Sequence, residues 1–105
     1  MVGSHDLPVP FEVRLMPDRD RLLVAPRGEL DLATAEQMRV ALLEQFDNGF
    51  AHVVADLRDV TFIDSIGIGV LAQAVRHGAD IEVRGAPPKI QRAIELSGLI
   101  DPVEL

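Results

Sequence analysis

The chain has 105 residues, 48% of them hydrophobic, and a formal net charge of −7. That length fits one domain, and a chain this apolar has a core to bury and is not expected to be disordered. The acidity argues against nucleic acid and anionic membranes, which call for basic surfaces, and no apolar run approaches the roughly 18 residues of a membrane span. There is no cysteine, which excludes a disulfide framework and thiolate chemistry and fits a reducing cytoplasm, the expected location. The N-terminus lacks the basic and apolar regions of a signal peptide.

Residues 1–10, with Gly3, Ser4, His5, Pro8 and Pro10, read as a flexible lead-in to a domain covering 11–105. Phe11, Val13 and Leu15 alternate with Glu12, Arg14 and Met16, the period of a strand. A turn at 17–20 leads to a second strand, 21–25, the hairpin partner of the first. Pro26 limits pairing and suggests an edge or a strand end, and residues 28–31 are expected to leave the sheet. Thr34 and Gln37 match a capping box, followed by an apolar stripe of Ala35, Met38, Leu42, Leu43 and Phe46 and a stop at Asn48 and Gly49. Residues 51–57 read as a third strand, apolar on both faces and therefore central and parallel.

A polar turn at Arg58 and Asp59 and a short apolar run, 60–63, lead to Asp64 and Ser65. From there the period changes. Ile68, Leu71, Ala72 and Val75 share one helix face, predicting a helix from Ser65 to about His77, stopped at Gly78. Ile81, Glu82 and Val83 form the next strand, which follows at once. Pro87 and Pro88 suit the start of a last helix with Ile90, Ala93, Ile94 and Ser97 on its buried face. Gly98 ends it, and Leu99 is placed to fold back as the hydrophobic contact of such stops. Residues 101–105 add a short edge element or fray. The order β-β-α-β-α-β-α predicts an α/β domain: a mixed, mostly parallel sheet with helices packed on it.

Ser65 stands where a helix begins, so its hydroxyl is expected to cap backbone N–H groups. A phosphate there would meet exposed N–H groups and the positive end of the helix dipole. A hydrolase nucleophile elbow needs glycine two residues earlier, where Ile63 stands. His5, His52 and His77 read as surface residues without metal-ligand spacing. Gly67 and Gly69 lack the third glycine of a dinucleotide fingerprint, since Ala72 holds its place. They are expected to keep the helix start slim so that a partner can approach. By pattern alone Asp31 and Asp64 are ordinary caps, and Asp56 and Asp59 are solvated loop residues.

Three segments together resemble the STAS domain family of anti-sigma factor antagonist type. They are Asp64-Ser65-Ile66-Gly67-Ile68-Gly69, which follows the hallmark D-S-[ST]-G-[LI]-G between a strand and a helix at all but its third position; Gly28-Glu29-Leu30-Asp31 with Thr34-Ala35; and 85–98, GAPPKIQRAIELSG. Their order and spacing cover most of the chain. The departure is Ile66, where the family often has a second hydroxyl residue. The resemblance implies a mixed-sheet fold and phosphorylation of Ser65 by a partner serine kinase with a histidine-kinase-like ATP fold. It also implies a partner-binding rim of Asp31, Asp64, Ser65, Ile66, Gly67 and Gly69. The implied function is that of an antagonist: the domain binds the anti-sigma factor kinase, a sigma factor is released, phosphorylation ends the contact, and a serine phosphatase resets it. On this reading the protein is a kinase substrate and not an enzyme, a monomer with no cofactor or metal of its own. A ligand-sensing or scaffold module without phosphorylation is the alternative.

Overall fold

The structure is a computed structural model that describes residues 10–47, 49, 52–76 and 80–100. The expectations for the lead-in, Asn48, the end of the Ser65 helix and the last five residues lie wholly or mostly outside them. Eight elements follow in order: β1 (Glu12–Asp18), β2 (Arg21–Leu30), α1 (Ala35–Asp47), β3 (His52–Asp56), β4 (Asp59–Ile63), α2 (Ser65–Arg76), β5 (Asp80–Arg84) and α3 (Pro88–Ser97).

β2 is the organising strand. β1 pairs antiparallel along one side of it, from Glu12 opposite Arg27 to Asp18 opposite Arg21. The other side is shared. β3 runs parallel beside Arg21–Val24, and β4 runs parallel beside Arg27–Leu30. β5 lies outside β3, also parallel. β3 and β4 are thus laid end to end along one neighbour, interrupted at Leu57 and Arg58.

The strand order expected from the sequence lacks β4, and the reason is a bulge. Gly28 registers with Val60 but Glu29 with Phe62, which leaves Thr61 without a partner. Val60 and Ile63 are buried while Thr61 and Phe62 both face solvent. The extra residue breaks the period-two pattern that identifies a strand. Residues 28–30, expected to leave the sheet, instead complete β2 as partners of β4. Pro26 is interior to β2, not at an edge. It falls in the gap between Val24, the last β3 partner, and Arg27, the first β4 partner. Its missing N–H therefore costs no ladder bond on that side.

The helices cover one face of the sheet. Leu22, Val24 and Leu30 of β2, Val53 and Ala55 of β3, and Ile81 and Val83 of β5 alternate inward along their strands. They meet Met38 and Leu42 of α1, Ile68 and Leu71 of α2, and Ile90 and Ile94 of α3 in one core. Truncating one of these fully buried leucines to alanine costs about 2–5 kcal/mol. β3 is central as expected. Val54 on the helix-free face is buried too, in a shallow hollow shared with Met16, Arg21, Leu23 and Arg84.

α3 starts at Pro88 and stops at Gly98 in the left-handed conformation, as its sequence predicts. The hydrophobic contact beyond the stop is not made by Leu99, which is 45% exposed, but by Ile100, which is 2% exposed. The turn after Gly98 directs the second residue inward. No described helix is long and apolar enough to cross a membrane.

Candidate functional site

β2 and β4 end side by side, with Leu30 opposite Ile63. Each strand then turns into a helix, the first through residues 31–34 into α1 and the second through Asp64 into α2. Parallel pairing therefore brings the Asp31 turn against the start of the Ser65 helix, although 32 positions separate Leu32 from Asp64. The Asp64 N–H donates to the Leu30 carbonyl at 3.3 Å, which fixes the second turn to the end of β2.

Asp64, not Ser65, caps α2. Its carbonyl accepts the first helical bond, from the Ile68 N–H at 3.0 Å. Its Oδ1 accepts from the Gly67 N–H at 2.9 Å, the bond an N-cap side chain makes to the third helical residue. Its Oδ2 accepts from the Leu32 N–H at 3.2 Å. A carboxylate has two acceptor oxygens, so one side chain caps the helix and holds the neighbouring turn, which a hydroxyl could not do as well. Ser65 becomes the first helical residue. It is exposed, and among the described residues its hydroxyl makes no hydrogen bond. The first turn of α2 holds no acidic residue, and the Ser65 and Ile66 N–H groups are among the donors that a helix start leaves without intrahelical partners.

The Asp31 turn is tied by its own side chains. Asp31 Oδ1 accepts from the Ala33 N–H at 3.0 Å and the Thr34 N–H at 3.3 Å. Its carbonyl accepts from the Ala35 N–H at 2.7 Å. The Thr34 carbonyl accepts from the Met38 N–H at 3.2 Å, which puts Thr34 at the start of α1 as expected. Its hydroxyl does not cap, however. It turns back, donating to the Glu29 carbonyl at 2.6 Å and accepting from the Asp31 N–H at 3.0 Å. The expected box with Gln37 does not form: the hydroxyl is turned toward the end of β2, and the Asp31 N–H takes its acceptor side. The tip of the turn carries Leu32, 74% exposed.

Gly67 is slim for a reason within the chain. A Cβ there would lie 2.3 Å from the Leu30 carbonyl oxygen and 2.9 Å from Leu30 Cγ, so Gly67 lets α2 pack on the end of β2. A Cβ on Gly69 would meet nothing within 4 Å. Ile66 is 47% exposed, next to Ser65. Two other carboxylates fall elsewhere. Asp56, expected in a solvated loop, is 8% exposed at the end of β3, with Oδ2 3.2 Å from Arg58 Nε. Asp59 is exposed at the start of β4.

The structure therefore brings together Asp31, Asp64, Ser65, Ile66 and Gly67, with Gly69 one turn further along α2. Leu32 belongs with them, and sequence reasoning passed over it. Its signal was an apolar residue in a turn otherwise built of Asp, Ala and Thr. His52 registers with Arg21, at the other end of β2, and pairs with Asp80 at 2.7 Å. It supplies Ser65 with no base. No group of three or more potential metal ligands occurs among the described residues.

The chain is similar over most of its length to several known proteins. An anti-sigma F factor antagonist from Paenibacillus polymyxa is 28% identical over 85% of this chain and 80% of its own length. An anti-sigma-B factor antagonist from Listeria monocytogenes is 29% identical over 84% of this chain and 81% of its own. Among solved structures, an anti-sigma factor antagonist from Mycobacterium paratuberculosis superposes with a TM-score of 0.79 at 26% identity, covering 89% of this chain and 84% of that one. The family model described as Mlab, STAS domain matches residues 14–104, and the chain belongs to the STAS domain family.

Proposed function

We propose that the domain is an anti-sigma factor antagonist whose binding surface is the rim of Asp31, Leu32, Asp64, Ser65, Ile66 and Gly69. In this reading it docks on an anti-sigma factor that is also a serine kinase, and a sigma factor is released. The kinase, with its own ATP and magnesium, transfers a phosphoryl group to Ser65. The complex then parts, and a phosphatase restores the hydroxyl. The domain is the substrate of that reaction and not its catalyst.

The observation that carries the proposal is the exposed Ser65, released from capping duty by Asp64, with Ile66 exposed beside it and exposed Leu32 on the turn that Asp64 holds. A serine that capped its own helix would have to give up that bond on phosphorylation. This one has nothing to give up. A phosphate there would meet the unpaired N–H groups and the positive end of the α2 dipole. Gly67 supports the site by holding α2 against Leu30, a structural part and not a contact.

The test is incubation with the candidate anti-sigma kinase and ATP, followed by intact mass and peptide mapping. One phosphate on Ser65, with release of the complex, is the expected result. Phosphate on Thr34 or Thr61 with Ser65 unmodified overturns the assignment of the acceptor. Tight binding without any phosphorylation favours the scaffold reading.

A further inference from the structure

A second site lies away from the rim. A cleft of about 480 Å³ opens at the carboxyl ends of β3 and β5, where Arg58 follows one strand and Pro87 lies beyond the other. Its size is that of a small-ligand site, and crevices outside the carboxyl ends of parallel strands are where such sheets bind ligands. It shares β4 with the rim but none of the rim's residues.

Three basic side chains from three separate segments line it: Arg27 of β2, Arg58 of the β3–β4 turn and Lys89 of α3. Asp59 is the one carboxylate among its lining residues. In a chain with ten basic and seventeen acidic residues, that is a local gathering of cations. Two of the cations are partly engaged, Arg27 with Glu12 at 3.7 Å and Arg58 with Asp56 at 3.2 Å. Neither pair uses up the five donors of a guanidinium. The Arg27 pair is well exposed and correspondingly weak. Lys89 has no ion-pair partner among the described residues. Half-buried Pro87 adds apolar surface, and Val60 and Ile90, each 2% exposed, lie beneath it as part of the core. α3 begins beside the cleft with no side-chain cap.

We propose that this cleft binds a small phosphomonoester. Its phosphate is held by Lys89 with Arg58 and Arg27, and its organic part rests against Pro87. A phosphate's oxygens accept from the Lys89 ammonium and from the guanidinium donors that the Glu12 and Asp56 pairs leave free. The volume exceeds what a bare phosphate fills and leaves room for a carbon body. The acidity of the whole chain repels an extended polyanion, so the ligand is a small molecule and not a nucleic acid or a membrane.

The test is a titration followed by amide chemical shifts, using inorganic phosphate, phenyl phosphate, adenosine 5′-monophosphate and glycerol 3-phosphate as probes. The expected result is saturable shifts of the Gly28, Val60, Lys89 and Ile90 amides, larger for the organic phosphates than for inorganic phosphate and weakened by salt. Preference for the adenosine ester identifies a nucleotide source, and preference for the glycerol ester a lipid headgroup. Lys89→Gln is expected to bind roughly tenfold more weakly with an unchanged melting temperature. Absence of saturable shifts at millimolar concentrations of all four probes overturns the proposal. So does wild-type affinity in both Lys89→Gln and Arg27→Gln. The Ser65 phosphorylation experiment is independent of either outcome.

Discussion

Asp64 and Leu32 are joined by a hydrogen bond of 3.2 Å, carboxylate to backbone N–H, between two loops far apart in sequence. The other oxygen of the same carboxylate caps α2 through Gly67 at 2.9 Å. One side chain therefore sets both the start of the helix that carries Ser65 and the position of the turn that carries Leu32.

Replacing Asp64 separates the two roles. Asp64→Ala removes both bonds and is expected to lower stability by about 1–2 kcal/mol, the cost of a lost cap. Asp64→Asn keeps one acceptor oxygen but turns an amide NH2 toward one of the two N–H groups, so it costs less. Amide hydrogen exchange distinguishes the variants. Both Leu32 and Gly67 lose protection in the alanine variant, and one of them in the asparagine variant. Unchanged exchange at Leu32 in Asp64→Ala would show that the bridge does not hold the turn.

The two glycines of the Ser65 helix make opposite predictions. Gly67→Ala drives a methyl group into the Leu30 carbonyl, a backbone atom that cannot swing aside. Overpacking of that kind costs about 1–3 kcal/mol, and the backbone contact puts this case at the upper end. Gly69→Ala meets open space and removes the entropy cost of a helical glycine, so it is expected to stabilise by up to about 1 kcal/mol. Urea midpoints of the two single variants measure both. A Gly67→Ala variant as stable as the parent would mean that α2 can back away from β2 without loss.

Much of this arrangement is legible in the residues alone. The change from the alternation of Val13 and Leu15 to the spacing of Ile68, Leu71, Ala72 and Val75 marks strand and helix, because burial on one face imposes each period. β4 was hidden because the bulge at Thr61 puts two neighbouring side chains in solvent. The family resemblance grouped the rim residues, but it did not say what each does within the fold. Asp or Ser can each cap a helix, and the choice at Asp64 depends on a Leu32 N–H that only the pairing of β2 with β4 brings near. Gly67 likewise faces Leu30 through a tertiary contact that no local pattern encodes.

The hairpin turn offers a stability test away from the rim. Asp18 pairs with Arg21, which leaves Arg19 and Asp20 as a two-residue turn, and Arg19 has a φ of 60°. A side chain in the left-handed region costs about 1–2 kcal/mol, which glycine avoids at the expense of a larger unfolded-state entropy. Arg19→Gly is therefore expected to raise stability by roughly 0.5–1 kcal/mol. Thermal melts are the check, and a lower melting temperature would count against the turn geometry.

Because Asp64 is the cap, substitutions at Ser65 are expected to separate binding from folding. Ser65→Ala removes no hydrogen bond among the described residues, and alanine is the better helix former, so stability should stay within about 0.5 kcal/mol. Ser65→Asp places a charge at the positive end of the α2 dipole, worth about 0.3–1 kcal/mol, against repulsion from Asp64 next to it. Both variants should therefore melt close to the parent. At the interface the two diverge. Alanine adds no charge, and the apolar contacts of Leu32 and Ile66 remain. Aspartate adds one negative charge, and phosphoserine about 1.5 to 2, beside Asp31 and Asp64. Like charges pressed together in a desolvated contact cost several kcal/mol. The expected order of affinity for the anti-sigma kinase is parent, then Ser65→Ala close behind, then Ser65→Asp, then the phosphorylated parent, measured by calorimetry with melts run in parallel. Parent-like binding by Ser65→Asp alone makes aspartate a poor mimic. Undiminished binding by the phosphorylated parent would mean that charge at Ser65 does not throw the switch.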